Sequence, residues 1–129
     1  MLHVQSVEKS IEFYRLLGFD LIDTEGHKVL GWARMHCEGG AVMFLAAEEP
    51  RKDTHTPVML VLYTEDLPAF RAQLVELGMN VRDVTYPEYM PSGELMMNDP
   101  DGNIILVNHW SSVEHEQWLA RVKEKKISP

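Results

Sequence analysis

The sequence predicts an α+β fold made of two βαβββ modules that form a curved mixed sheet around a cleft, followed by a C-terminal helix. Three observations predict it. A helical apolar stripe ending in Leu-Gly occurs twice, at Val7–Gly18 and again at Leu67–Gly78. Each stripe follows one strand-like run and precedes three more, with turn residues between them. A lone βαβββ unit has an apolar sheet face that it cannot bury by itself. Two units, from one chain or from two, can wrap around a shared cleft.

The first strand is read at His3–Gln5. Val7, Ile11, Tyr14 and Leu17 then recur at helical spacing, with Ser6 as N-cap and Gly18 at the left-handed C′ position. Strands follow near Asp20–Thr24, Val29–His36 and Ala41–Ala46, broken at Glu25-Gly26 and Gly39-Gly40. The second module opens with a stronger strand at Val58–Tyr63. Asp66 caps its helix and Pro68 sits in the first turn, where proline is tolerated. Its later strands are expected near Asn80–Thr85, Glu94–Asn98 and Asn103–Asn108. Ser111 and Glu114 have capping-box spacing, and Val113, Trp118, Leu119 and Val122 roughly share a face of the last helix. That face is expected to pack on the domain or on a partner chain. One domain is therefore expected over residues 1–129, with module 1 at 1–47, a polar linker at 48–56, module 2 at 57–109 and the helix at 111–126.

Hydrophobic residues make up 45% of the chain and charged residues 25%, an ordinary globular balance. The net charge of −8 argues against a nucleic-acid partner, which needs clustered Lys and Arg. The basic run from Arg121 to Lys126 reads instead as a complement to a helix C-terminus. Acidity favours cationic ligands, or serves only solubility. No apolar run is long enough for a membrane span, and MLHVQSVEKS lacks the pattern of a secretory signal. Cys37 is the single cysteine, so an intrachain disulfide is excluded and a cytoplasmic location is expected. No charge pattern around Cys37 argues for a reactive thiol. Serine-hydrolase, P-loop and dinucleotide glycine fingerprints are missing from the sequence.

With Ser10-Ile11-Glu12-Phe13-Tyr14 and Leu17-Gly18-Phe19, Ala41-Val42-Met43-Phe44-Leu45, and Asn98-Asp99-Pro100-Asp101-Gly102-Asn103, the chain resembles the vicinal oxygen chelate superfamily. The resemblance spans residue 1 to about residue 110. That superfamily includes glyoxalase I, extradiol dioxygenases, methylmalonyl-CoA epimerase, fosfomycin-resistance enzymes and metal-free bleomycin-resistance proteins. Its fold hosts many chemistries and does not by itself specify one. The metal enzymes carry His, Glu or Gln ligands on the first and last strand of each module. Carried onto this sequence, the first position falls just before Met1 and is expected to supply no ligand. The others fall on Phe44, Met59 and Leu106, none of which holds a hard divalent ion. A slip of one residue gives Met43 or Leu45, Val58 or Leu60, and Ile105 or Val107, which are no better. The resemblance therefore implies no metal and no cofactor. The chain is most similar to the bleomycin-resistance branch, whose members are metal-free dimers that sequester a cationic drug. Gly93 departs from that branch, where an arginine often precedes the glutamate.

The expected function is metal-independent binding of a small molecule, cationic or aromatic, by a homodimer; the apolar residues at the metal-ligand positions lean against an enzyme without deciding it. Period-2 alternation assigns Val42, Phe44 and Ala46, Met59, Val61 and Tyr63, and Ile104, Leu106 and Asn108 to the cleft. His3 is assigned to the same face. Trp32 and Arg34 share a face of the third strand that alternation leaves unassigned. The loop Tyr86–Met90 is expected to border the mouth, near Glu94. The ligand-binding set is thus His3, Trp32, Phe44, Met59, Tyr63, Tyr89, Glu94, Leu106 and Asn108, with Glu88 or Glu94 supplying charge. Two alternatives stay open. Phe44, Met59 and Leu106 could be plain core, leaving a protein that acts through a partner. A metal-dependent glyoxalase- or dioxygenase-like lyase or isomerase could use other ligands, such as His3, Glu94 and His109. His55 and His115 read as solvated.

Overall fold

A computed structural model describes residues 1–26, 30–47 and 58–124. The elements run β1 (Leu2–Val4), α1 (Val7–Leu16), β2 (Asp20–Glu25), β3 (Trp32–Cys37), β4 (Gly40–Ala46), β5 (Met59–Thr64), α2 (Leu67–Glu76), β6 (Glu94–Asn98), β7 (Ile104–His109) and α3 (Ser112–Glu124). The expected linker at 48–56, His27, Val29, His55 and residues 125–126 of the last helix lie outside the described residues.

The chain forms two compact units, one of Met1–Leu60 with Asn98–Ile104, the other of Val61–Met97 with Ile105–Pro129. The first holds a mixed sheet in the order β1-β4-β3-β2, in which β1 runs parallel to β4 and the other pairs are antiparallel. α1 packs on β2, β3 and β4. Its N-cap is Ser6, whose hydroxyl accepts from the Lys9 N–H at 3.2 Å, and Gly18 follows its end at φ 100°. Val7, Ile11, Tyr14 and Leu17 are all buried, as their spacing requires.

Tyr14 is the centre of this core. Phe13, Phe19 and Phe44 surround its ring, with centroids at 5.3, 5.5 and 4.9 Å. Its hydroxyl donates to Asp99 Oδ2 at 2.9 Å. Asp99 also accepts from the Asp101 and Asn103 N–H groups and from the Asn103 amide, at 2.9, 2.8 and 2.9 Å. Asn103 Oδ1 takes the Val58 N–H at 3.0 Å, and Asp101 Oδ1 takes the Gln5 N–H at 2.8 Å. The D-P-D-G-N turn is therefore tied to α1, to the end of β1 and to the start of β5.

The second sheet has the order β5-β7-β6. Its register follows from four backbone bonds. Ile104 N–H donates to Val58 O and Trp110 N–H to Thr64 O, so β7 runs parallel to β5. Asp99 N–H donates to Asn103 O and His109 N–H to Gly93 O, so β6 and β7 form an antiparallel hairpin. Leu67, Leu74, Leu95, Met97, Ile105 and Val107 are buried and supply this unit's apolar interior.

One expectation needs correction. The run Asn80–Thr85 is not a strand; only Thr85 bridges to Glu94. The cause is Arg71 on α2, whose guanidinium donates to Arg82 O at 2.8 Å and Val81 O at 3.3 Å while pairing with Asp83. Those carbonyls are satisfied without a ladder. On α3 no residue is buried: Trp118, Leu119 and Val122 are half-covered, and Val113 is 59% exposed.

Tyr14→Phe should remove one donor from the buried Asp99 carboxylate at no cost in shape. The expected loss is about 1–3 kcal/mol, seen as a lower urea midpoint at an unchanged slope. An unchanged midpoint would show that the Tyr14 hydroxyl contributes nothing.

Candidate functional site

In the first unit the two sheet faces are distinct. Phe44 pairs with Leu2 and Ala33, and all three are buried on the α1 side. This corrects the expected placement of Val42, Phe44 and Ala46. Alternation defines two faces of a strand but does not say which one a helix covers. Phe44, fully buried against Tyr14, is a core side chain. The opposite face carries His3, Leu45 and Trp32 in one row, since His3 pairs with Leu45 and Leu45 with Trp32. Met43 and Arg34 form the next row. The side of Trp32 and Arg34, left open by the sequence, is thus the side of His3. Arg34 Nε is buried on this face with no acceptor among the described residues.

In the second unit the backbone register assembles Tyr63, Asn108 and Glu94. The parallel pairing sets Tyr63 beside Asn108, and the hairpin sets Asn108 beside Glu94, so the three share one row and one face. Val61, Leu106 and Met96 form the next row. Glu94 and Asn108 are 5% and 7% exposed, whereas Tyr63 is 62% exposed. Glu94 Oε1 accepts from the Tyr89 hydroxyl at 3.0 Å. That bond holds the phenol proton and raises the Tyr89 pKa above its ordinary value. Met59, 52% exposed, lies two residues before Val61 on the same strand face.

Tyr63 also belongs to a chain of rings that the sequence reading missed. Its ring lies 5.9 Å from Trp110, Trp110 lies 6.0 Å from His115, and His115 stacks on Trp118 at 5.9 Å. These four side chains line an open pocket of about 430 Å³. The signal was present: a tryptophan directly before an N-cap, then His115 and Trp118 at i, i+3. His115 is exposed, as expected of it, but it is one wall of this pocket.

The root of α3 is fixed by reciprocal caps. The Glu114 N–H donates to Ser111 Oγ at 3.4 Å, and the Ser111 N–H to Glu114 Oε2 at 3.1 Å. Glu114 Oε1 accepts from the Ser92 hydroxyl at 3.2 Å and lies 3.6 Å from His109 Nε2. Backbone donors at the helix start, foremost its own N–H, hold the Glu114 carboxyl below its ordinary value. Gly93, directly before Glu94, has φ 117°, and a Cβ there would meet Leu67 at 3.1 Å and Val84 at 3.2 Å. The arginine familiar from the bleomycin-resistance branch would therefore be strained here by the positive φ and crowded by Leu67 and Val84.

A divalent ion does not fit the positions that carry metal in the enzymes this chain resembles. Phe44 is locked in the core, Met59 offers a thioether and Leu106 no donor atom. Among the described residues, no three His, Cys, Asp or Glu side chains gather in a metal-holding group. No helix among the described residues is long and apolar enough to cross a membrane.

The chain matches the profile of the Glyoxalase/Bleomycin resistance protein/Dioxygenase superfamily over residues 1–107, and it belongs to that superfamily. Among solved structures it is similar to a bleomycin-binding protein complexed with bleomycin, at 18% identity and a TM-score of 0.68, covering 85% of this chain and 94% of that one. It is similar to TnmS3, an antibiotic-binding protein from Streptomyces sp. CB03234, at 28% identity and a TM-score of 0.63, covering 85% and 91%. It also resembles TioX from Micromonospora sp. ML1, at 16% identity and a TM-score of 0.70, covering 84% and 93%. No curated protein matches it by sequence.

The Glu114 geometry gives a pH prediction. Its folded pKa is depressed, so its contribution is complete above the ordinary value of 4.5 and is lost as the pH falls through a lower value. Helix content and Trp fluorescence should hold from pH 7 down to pH 5 and fall below it, with Glu114→Gln removing that step. An identical acid profile in the variant would show that the cap is idle.

Proposed function

We propose that this chain is a metal-independent binding protein for a small aromatic or cationic compound, acting as a cytoplasmic homodimer. The observation that carries the reading is the pocket of Tyr63, Trp110, His115 and Trp118, which adjoins the Asn108–Glu94 row through Tyr63. Four rings with an acidic group nearby suit a ligand that is both planar and positive. The protein's net charge of −8 draws cations toward it. Apolar residues at Phe44, Met59 and Leu106 support binding without a metal. The likeness to bleomycin- and antibiotic-binding proteins supports the ligand class. His3 and Trp32, which share one row of the first unit's sheet on the face opposite Phe44, are proposed as ligand contacts of that unit.

Titration with bleomycin-type compounds should quench tryptophan fluorescence saturably. Trp118→Ala should weaken binding about tenfold, equivalent to ~1.4 kcal/mol, while leaving the melting curve of the free protein nearly unchanged. No quenching and no thermal shift would remove drug binding from the reading. Protein purified without chelators should carry far less than one equivalent of Zn, Ni, Mn or Fe and should sediment as a dimer of 14.8 kDa chains. Stoichiometric metal, or a monomer at working concentration, would overturn the corresponding part.

A further inference from the structure

Asn108 is 7% exposed, yet its Oδ1 accepts no hydrogen bond from any described residue. A buried acceptor left unpaired is costly, so the site is short of a donor. Beside it on β6, Glu94 is 5% exposed and has no ion-pair partner among the described residues. One hydrogen bond to it is seen, from Tyr89, although an ionised carboxylate has about four acceptor positions. The two residues form a non-hydrogen-bonded pair of the hairpin, the pairing that brings opposite side chains closest, with Cα atoms about 4.5 Å apart. One ligand group can therefore reach both. Tyr63 ends the row on the other side with a 62% exposed aromatic ring, which also lines the neighbouring pocket.

We propose that the Tyr63–Asn108–Glu94 row recognises the N–H-donating head of an organic cation, a protonated primary amine or an amidinium. The adjoining rings of Trp110, His115 and Trp118 hold the aromatic body of the same molecule. This deepens the binding-protein reading and rests on it. An anion would meet two acceptors and no cation. A neutral apolar group would leave Asn108 Oδ1 unpaired. A quaternary ammonium would satisfy charge without supplying a proton to either acceptor. An N–H cation fulfils all three demands, with charge for Glu94, a donor for Asn108 and a positive edge for the Tyr63 ring.

The test compares three probes on the full chain at pH 7: benzylamine, which is protonated, benzyltrimethylammonium, equally charged but without N–H, and neutral acetophenone. Benzylamine should bind about tenfold more tightly than either of the others, the scale of one charge-assisted hydrogen bond. Asn108→Leu and Glu94→Gln should each erase that preference, while melting curves show both variants folded. Equal binding of the two cations, or a preference that survives in both variants, overturns the proposal. If all three probes bind alike, the N–H recognition fails and the binding-protein reading stands. If none of them binds and bleomycin-type compounds do not either, both fall.

Discussion

Asp99 accepts four hydrogen bonds in a place where it is 5% exposed, and two further bonds from neighbours of the same turn extend its reach. A buried carboxylate is costly unless its lone pairs are filled. Here the filling groups come from α1, from the turn itself and from Asn103, which in turn holds the first residue before β5. The turn also sets where β7 begins, and so fixes which β7 residues face Glu94 and Tyr63. A one-residue slip would send Asn108 to the other face and replace it with Val107 or His109. The polar row depends on a hydrogen-bond hub several residues away along β7.

Burial and function are divided between the faces of each sheet. In the first unit Phe44, Ala33 and Met35 are buried on the α1 side, and the residues between them, Trp32, Arg34 and Met43, lie on the opposite face with only partial exposure. In the second, Leu95, Ile105 and Val107 are buried, whereas Tyr63 and Met96 are open and Glu94 and Asn108 lie nearly covered on that same row-bearing face. The aromatic pocket is added by α3, a helix with no fully buried residue whose position is set largely by the Ser111–Glu114 caps and the ring contacts. Such an element has little apolar burial to hold it, which is where adaptable ligand contacts are commonly found.

Much of the fold was legible because its signals are local. The caps at Ser6 and Asp66, the glycine after α1 and the strand alternation follow from spacing and backbone preference. Asn80–Thr85 was misread as a strand because the decisive group, the Arg71 guanidinium, lies on the preceding helix. Tyr63, Tyr89, Glu94, Leu106 and Asn108 were named from alternation and loop position, and the register brings Tyr63, Asn108 and Glu94 together in one row. Phe44 was placed on the wrong face, and Trp110 and His115 were not chosen at all.

The sequence by itself determined the α+β class, the repeated helix with its Leu-Gly stop, the turn that holds Asp99 and the lack of hard donors at Phe44, Met59 and Leu106. These depend on residue type and on neighbours a few positions away. Tertiary structure decided which face of β4 the helix covers, that Arg71 would occupy the carbonyls of a would-be strand, and that Tyr63 would meet Trp110 and line one pocket with His115 and Trp118. Each of these joins residues distant in the chain or on separate elements, and periodicity along one element cannot choose among partners on another.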